Sequence, residues 1–206
     1  GLTAPPRAPR TELRLRGERH TIARDRRAVR HHYDVGNEFF KLFLDRSMTY
    51  SCALFSRGAK TLEEAQEAKL ALVCRKLDLQ AGERVLDVGC GWGSFAIHAA
   101  RNHGVRVLGV TLSERQVQLG RERAVAAGVS DLVELRVADY RELPGEQFDA
   151  ISSIGMVEHV GHERIDLYMA TLHGLLTPGG RLLNHGIAKL MDFDTKDEGA
   201  FSERFV

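Results

Sequence analysis

Val85-Leu86-Asp87-Val88-Gly89-Cys90-Gly91-Trp92-Gly93 runs from an apolar strand into a turn with glycine at every second position. Lacking Cβ atoms, the backbone of such a turn can lie directly against a ligand, and a helix that starts there offers its amides to an anion. Asp87, just before the turn, can fix the chain or take a polar ligand group. The turn is not a nicotinamide fingerprint. Position 94 is Ser94 instead of a third glycine, and about 20 residues on, where ribose hydroxyls call for a carboxylate, the chain reads Gly109-Val110-Thr111-Leu112-Ser113. Cys90 reads as a small packing residue, not a nucleophile. Glu158-His159 lack H-E-x-x-H order, and adjacent helical residues face different ways, so no metal site is expected.

The elements that position these residues follow from periodicity and punctuation. Short apolar strands are expected at 84–88, 105–110, 132–137, 148–154 and 180–187, with helices at 92–103, 113–127 and 162–176 between them. That alternation predicts an α/β fold with a mostly parallel, doubly wound sheet. In such sheets ligands bind beyond the carboxyl ends of the strands. Gly89–Gly93, Thr111–Gln116, Asp139-Tyr140 and Gly155–Glu158 all fall at those ends. The glycine turn then faces the acid end of a ligand. Thr111 and Gln116 meet ribose hydroxyls with neutral groups, while Asp139 and Tyr140 offer adenine a hydrogen bond and a stacking face. Ser113 is a natural N-cap. Upstream, Thr61-Leu62-Glu63-Glu64 is a capping box opening a helix to about Leu79, with Ala65, Ala68, Ala71, Leu72 and Leu77 on its apolar face. Residues 22–46 read as two short helices broken near Gly36. Phe39, Phe40 and Phe43 are expected in the core.

At 206 residues and 43% hydrophobic content the chain can bury one sizeable core. Its net charge of +1 conceals an asymmetry, because residues 1–32 hold nine Arg against Glu12, Glu18 and Asp25. Three domains of organisation follow: a flexible basic arm at 1–20, a helical cap segment at 21–80 and a Rossmann-like core at 81–206. The basic flank suits an anionic surface. Cys52, Cys74 and Cys90 form neither a disulfide framework nor a metal set, which predicts a reducing cytoplasmic setting. No apolar run of about 18 residues is present to span a membrane, and no signal-peptide core is seen.

The D-x-G-x-G-x-G spacing of 87–93 is similar to motif I of S-adenosylmethionine (SAM) methyltransferases. Further segments occur in a specific order: His31-His32-Tyr33-Asp34-Val35-Gly36-Asn37, Met48-Thr49-Tyr50-Ser51-Cys52-Ala53, Gly109-Val110-Thr111-Leu112-Ser113 and Ser153-Ile154-Gly155-Met156-Val157-Glu158-His159-Val160-Gly161. Together, over residues 25–190, the series resembles the cyclopropane-fatty-acyl-phospholipid synthase and mycolic acid cyclopropane synthase family. The resemblance implies a Rossmann-like SAM methyltransferase sheet under an N-terminal helical cap. Its last two strands, normally a hairpin, are absent from this sequence.

The implied reaction is methylation of a cis double bond in an unsaturated fatty acyl chain. The resulting carbocation loses a proton to bound bicarbonate as a cyclopropane closes. The implied bicarbonate ligands are Cys52, the backbone at Ile154, Glu158 and His185, and the family's C-terminal tyrosine has no counterpart here. Tyr33 and Tyr50 offer ring faces to the cation, worth ~2 kcal/mol when desolvated. The implied SAM contacts are Tyr50 and Ser51, then Asp87, Gly89, Cys90, Gly91 and Gly93, then Thr111, Leu112 and Gln116, then Tyr140 and Arg141. The expected partners are an unsaturated phospholipid or acyl chain, an anionic membrane surface bound peripherally and a second copy of the chain, but no nucleic acid. An alternative outcome on the same substrate is a methylene branch, with a separate reductase to saturate it. Another is N-methylation of a small molecule.

Overall fold

The computed structural model describes residues 21–33, 36–56 and 58–187, without the side chains of residues 30–33. The basic arm, Asp34, Val35 and the last stretch of the expected core, 188–206, lie outside the described residues.

Helix α1 (Ile22–Tyr33) and helix α2 (Asn37–Lys41) flank Gly36, whose φ of 98° is a glycine conformation. Helix α3 (Leu62–Lys76) begins in the expected capping box. The Glu64 N–H donates to Thr61 Oγ1 at 3.2 Å, and the Thr61 N–H donates to Glu64 Oε2 at 3.3 Å. There follow β1 (Arg84–Val88), α4 (Ser94–His103), β2 (Arg106–Thr111), α5 (Glu114–Ala126), β3 (Val133–Val137), β4 (Phe148–Ile154), α6 (Ile165–Gly174) and β5 (Leu176–His185). Ser113 caps α5, its hydroxyl accepting from Gln116 N.

The five strands are all parallel in the order β3-β2-β1-β4-β5. The chain works outward from β1 to β3 and then returns to place β4 beside β1. The crevice for a ligand therefore opens where the carboxyl ends of β1 and β4 diverge. β5 starts four residues earlier than the periodicity indicates. Leu176 pairs with Phe148, an irregularity absorbs Thr177–Gly180, and regular pairing resumes from Arg181 opposite Ala150 to His185 opposite Ile154.

Both sheet faces are covered, which explains the near-continuous apolar strands. Val85, Val107, Leu135 and Ala150 meet α3, α4 and α5 on one side. Leu86, Val88, Leu108, Val110 and Ile151 meet Tyr168 and Leu172 of α6 on the other.

Two expectations about packing are corrected. The buried stripe of α3 is Ala65, Gln66, Lys69, Leu70, Val73 and Cys74, whereas Ala68, Ala71 and Leu72 are only partly buried. The helix is rotated because its polar residues have partners inside. Of the three phenylalanines expected in the core, only Phe40 is there, at 2% exposure. Phe39 and Phe43 are 50% and 47% exposed, their rings edge-on or tilted around Phe40. Helix α2 turns Phe40 into the core, its neighbour Phe39 faces another way, and Phe43 lies beyond the helix end.

Candidate functional site

Gly89, Gly91 and Gly93 all have positive φ (72°, 53° and 77°). A Cβ added at Gly91 would meet no atom within 4 Å, so the turn is open there. Its amides are less available than the sequence suggested. The Gly89 and Cys90 N–H groups both donate to Val110 O, at 2.9 and 3.0 Å, and Gly93 N–H donates to Cys90 O. These bonds tie the turn to β2, so a ligand meets the Gly91 amide and the start of α4 but not the whole turn. Gly109 lets the turn sit this close: a Cβ there would lie 2.6 Å from Leu135 Cδ2 and 2.9 Å from Cys90 Cβ. Burial pushes the Cys90 thiol well up, consistent with a packing role.

Trp92 anchors the cap segment to the turn. Its indole N–H donates to Asn37 Oδ1 at 2.8 Å, and its ring lies 4.9 Å from that of Phe40. Met48 completes this small cluster. From the opposite side, Ser94 Oγ donates to Ser47 O at 2.6 Å.

The segment carrying Tyr50, Ser51 and Cys52 is held from both ends. Asp45 Oδ1 accepts from Thr49 N at 2.8 Å, and Asp45 Oδ2 accepts from Ser47 N at 2.9 Å. From α3, Gln66 Nε2 donates to the carbonyls of Ser51 (2.8 Å) and Thr49 (3.3 Å), and Lys69 Nζ donates to Ser51 Oγ (2.7 Å). Tyr50 is half exposed, edge-on to Phe40 and Phe43. Asp87, 3% exposed, has an Oδ2 with no hydrogen-bond partner among the described residues. Burial raises its carboxyl to about 7 against the opposing pull of Lys69.

Beyond β2, Thr111 Oγ1 donates to Gln116 Oε1 at 2.6 Å and both side chains are buried. The two residues come together as expected, and the bond orients the Gln116 amide with its Nε2 free of any described side chain. Leu112 is partly buried beside them. Beyond β3, Asp139 makes local bonds that its expected role does not include. Its carboxylate is engaged by Arg141, which donates through its backbone N–H, Nε and Nη2. Arg141 also reaches Asp25 of α1 at 2.9 Å, and Arg26 reaches Glu142 at 2.6 Å. Asp139 therefore shapes the loop and docks the cap, while Tyr140 keeps a partly buried ring at the strand end, edge-on to Tyr168.

At the ends of β4 and β5 the structure brings together residues far apart in sequence. Ile154 is opposite His185, and the Gly155 N–H donates to His185 O at 2.8 Å. Glu158 Oε1 accepts from Ile187 N at 2.8 Å. Glu158 Oε2 and His185 Nδ1 are buried and have no hydrogen-bond partner among the described residues. Cys52 and His185 line one cleft of about 510 Å³ with Lys69, Asn184, Leu72 and Leu182. Tyr33 belongs to α1, and its side chain lies outside the described residues. Among the described residues no group of three His, Cys, Asp or Glu could hold a metal.

Gln66 and Lys69 are the site residues that sequence reasoning missed. Their spacing with Leu70 and Val73 is a helical stripe, so two polar residues on a stripe otherwise apolar were the available signal.

Sheet order, a glycine turn at the β1–β4 divergence and polar groups at successive strand ends define a Rossmann-like methyltransferase fold. More narrowly, the chain belongs to the mycolic acid cyclopropane synthetase family, whose model matches residues 20–206. It is 47% identical over 191 residues to a probable fatty acid methyltransferase of Pseudomonas putida, covering 91% of this chain and 48% of that protein. It is 47% identical over 156 residues to the cyclopropane-fatty-acyl-phospholipid synthase of Escherichia coli K12, covering 76% of this chain and 39% of that protein. The crystal structure of mycolic acid cyclopropane synthase CmaA1 complexed with SAH and CTAB is similar at a TM-score of 0.70 and 41% identity, over 74% of this chain and 53% of that one. The chain thus spans about half the length of the curated relatives it matches, between 39% and 59%.

Proposed function

We propose that this chain forms the cofactor-binding and acid–base part of an enzyme that methylates a cis double bond of an unsaturated fatty acyl chain and closes it to a cyclopropane. The observation that carries the reading is that Glu158 Oε2 and His185 Nδ1 are both buried without a hydrogen-bond partner among the described residues, with His185 lining the cleft that Cys52 shares. A carboxylate and an imidazole so placed suit a small ligand that both donates and accepts hydrogen bonds. Bicarbonate has that character; Cys52, the backbone at Ile154, Glu158 and His185 would hold it, and it supplies a base.

SAM also fits the residues present. Gly91 is open to a ligand, Asp87 Oδ2 lacks a partner among the described residues, and the Gln116 amide is oriented by Thr111. When bound, SAM supplies an electrophilic methyl group on a sulfonium. Tyr50 and Ser51 close the cofactor crevice from the cap side, and Tyr140 offers a ring face. An alkene is a weak nucleophile, so the chain's contribution is alignment and exclusion of water. Tyr50 and Tyr33 are the aromatic candidates for shielding positive charge.

The Arg-rich start of the chain supports peripheral contact with an anionic phospholipid surface. Among the described residues no helix is long and apolar enough to cross a membrane. The three free cysteines support a reducing, cytoplasmic setting.

The test is transfer of label from methyl-labelled SAM to unsaturated phospholipid vesicles. A ring product that resists mild hydrogenation is expected from the wild type, and a loss of at least a hundredfold from Glu158→Gln and His185→Asn. Full activity in both variants, or labelling of a soluble amine and not of lipid, would overturn the reading. Vesicle binding should also weaken as salt rises.

A further inference from the structure

Lys69 has no part in the chemistry proposed above, yet it is only 5% exposed in the middle of α3. Lysine is almost never buried without a partner. Its one described hydrogen bond runs to Ser51 Oγ at 2.7 Å, and Gln66, one turn earlier on the same helix, holds the Ser51 carbonyl at 2.8 Å. Charge compensation comes from Asp87 at the end of β1 and from Asp45, the residue that turns the chain into the Ser51 segment. Burial lowers the ammonium to about 8, and the charges of Asp87 and Asp45 oppose that shift. The same lysine lines the cleft shared by Cys52 and His185.

We infer that Lys69 is a positioning residue: by gripping the Ser51 hydroxyl from a rigid helix, it fixes the Tyr50–Cys52 segment relative to the cofactor crevice. Ser51 faces the cofactor and Cys52 the acid–base end in the function proposed above, on which this inference rests. One side chain therefore sets the spacing between the two halves of the site. A grip on carbonyls alone, as Gln66 provides, still leaves the segment beyond Ser51 free to pivot about those bonds. The lysine removes that freedom, which is what preorganisation of a site requires.

The experiment compares the wild type with Lys69→Met and Ser51→Ala by calorimetric titration with S-adenosylhomocysteine, thermal melting and amide hydrogen exchange of the unliganded protein. Lys69→Met, which keeps the length and apolar stem, should weaken binding about tenfold or more. The amides of residues 50–54 should exchange at least fivefold faster in both variants while those of α4 and β1 stay protected. A Lys69→Met protein that melts lower but binds within twofold of the wild type would make the lysine merely structural and overturn the inference. Should Lys69→Met not fold, Ser51→Ala decides alone: unchanged exchange at 50–54 overturns the inference, and faster exchange supports it. Wild-type protein that binds no S-adenosylhomocysteine would instead sink the proposed function, while the exchange data would still report on the lysine's grip.

Discussion

Gly109→Ala is the sharpest probe of how the core supports the glycine turn. Gly109 has an ordinary strand conformation, with Asp87 of β1 on one side and Leu135 of β3 on the other. An added Cβ would lie 2.6 Å from Leu135 Cδ2, 2.9 Å from Cys90 Cβ and 3.0 Å from Cys90 Sγ. The leucine tip can rotate away. Cys90 cannot, because its N–H is bonded to Val110 O and its carbonyl to Gly93 N–H. Relief must come from moving the turn itself. Overpacking of this kind costs about 1–3 kcal/mol, offset by about 0.4–1 kcal/mol from the stiffer unfolded chain. The net loss of about 1–2 kcal/mol corresponds to a melting temperature lower by about 2–8 °C for a protein of this size. Because the strain is relieved at Cys90, affinity for S-adenosylhomocysteine should fall more than stability does, by at least tenfold. Calorimetric titration alongside melting measures both. Gly174→Ala is the matched control: an added Cβ meets nothing within 4 Å at the end of α6, so it should melt no lower than the wild type. A Gly109→Ala protein with unchanged melting and unchanged affinity would refute the argument that this glycine is required by the approach of the turn.

Thr61→Ala removes one half of the capping box and should cost about 1 kcal/mol in urea denaturation, with Thr61→Ser close to the wild type. Tyr168→Phe leaves the buried Ser153 hydroxyl without its 2.6 Å partner and should also cost about 1–2 kcal/mol; no change in the urea midpoint would mean that the pair contributes nothing. Asp87 holds its proton more tightly when folded, its pKa rising from 3.8 to about 7, so its contribution favours folding below pH 3.8 and fades as pH rises to about 7. Asp87→Asn should therefore gain stability relative to the wild type between pH 4.5 and pH 7, and an offset that does not vary with pH would contradict this. For Lys69, lowered from 10.5 to about 8, the contribution is fully present above pH 10.5 and fades as pH falls to about 8. Lys69→Met should thus gain relative stability as pH is lowered from 10 to 8.

Much of the scaffold could be read from the chain because single segments encode it. β1 to β4 were legible as apolar runs between glycine and polar breaks, and α3 and α5 from Thr61 and Ser113, whose caps are local chemistry. What escaped depends on distant partners. Lys69 and Gln66 look like solvated helix residues until the Ser51 segment is folded over them. The glycine-turn amides seemed free because Val110, about 20 positions away, gives no sign in sequence that its carbonyl will take two of them. Asp139 was read for a ligand without the local bonds from Arg141, two positions on, that engage its carboxylate. The early start of β5 was hidden by Pro178-Gly179-Gly180, which punctuate like a loop but sit within the irregular start of the strand.

That irregular start also works as a ruler. With Leu176 moored to Phe148, the number of residues taken up before Arg181 decides which side chain arrives opposite Ile154. Removing one residue from 177–180 would deliver Gly186 to that spot and swing the imidazole of His185 through the sheet to its far face, since side chains alternate along a strand. A homologue shortened there by one could keep every residue of the proposed acid–base set and still be inert.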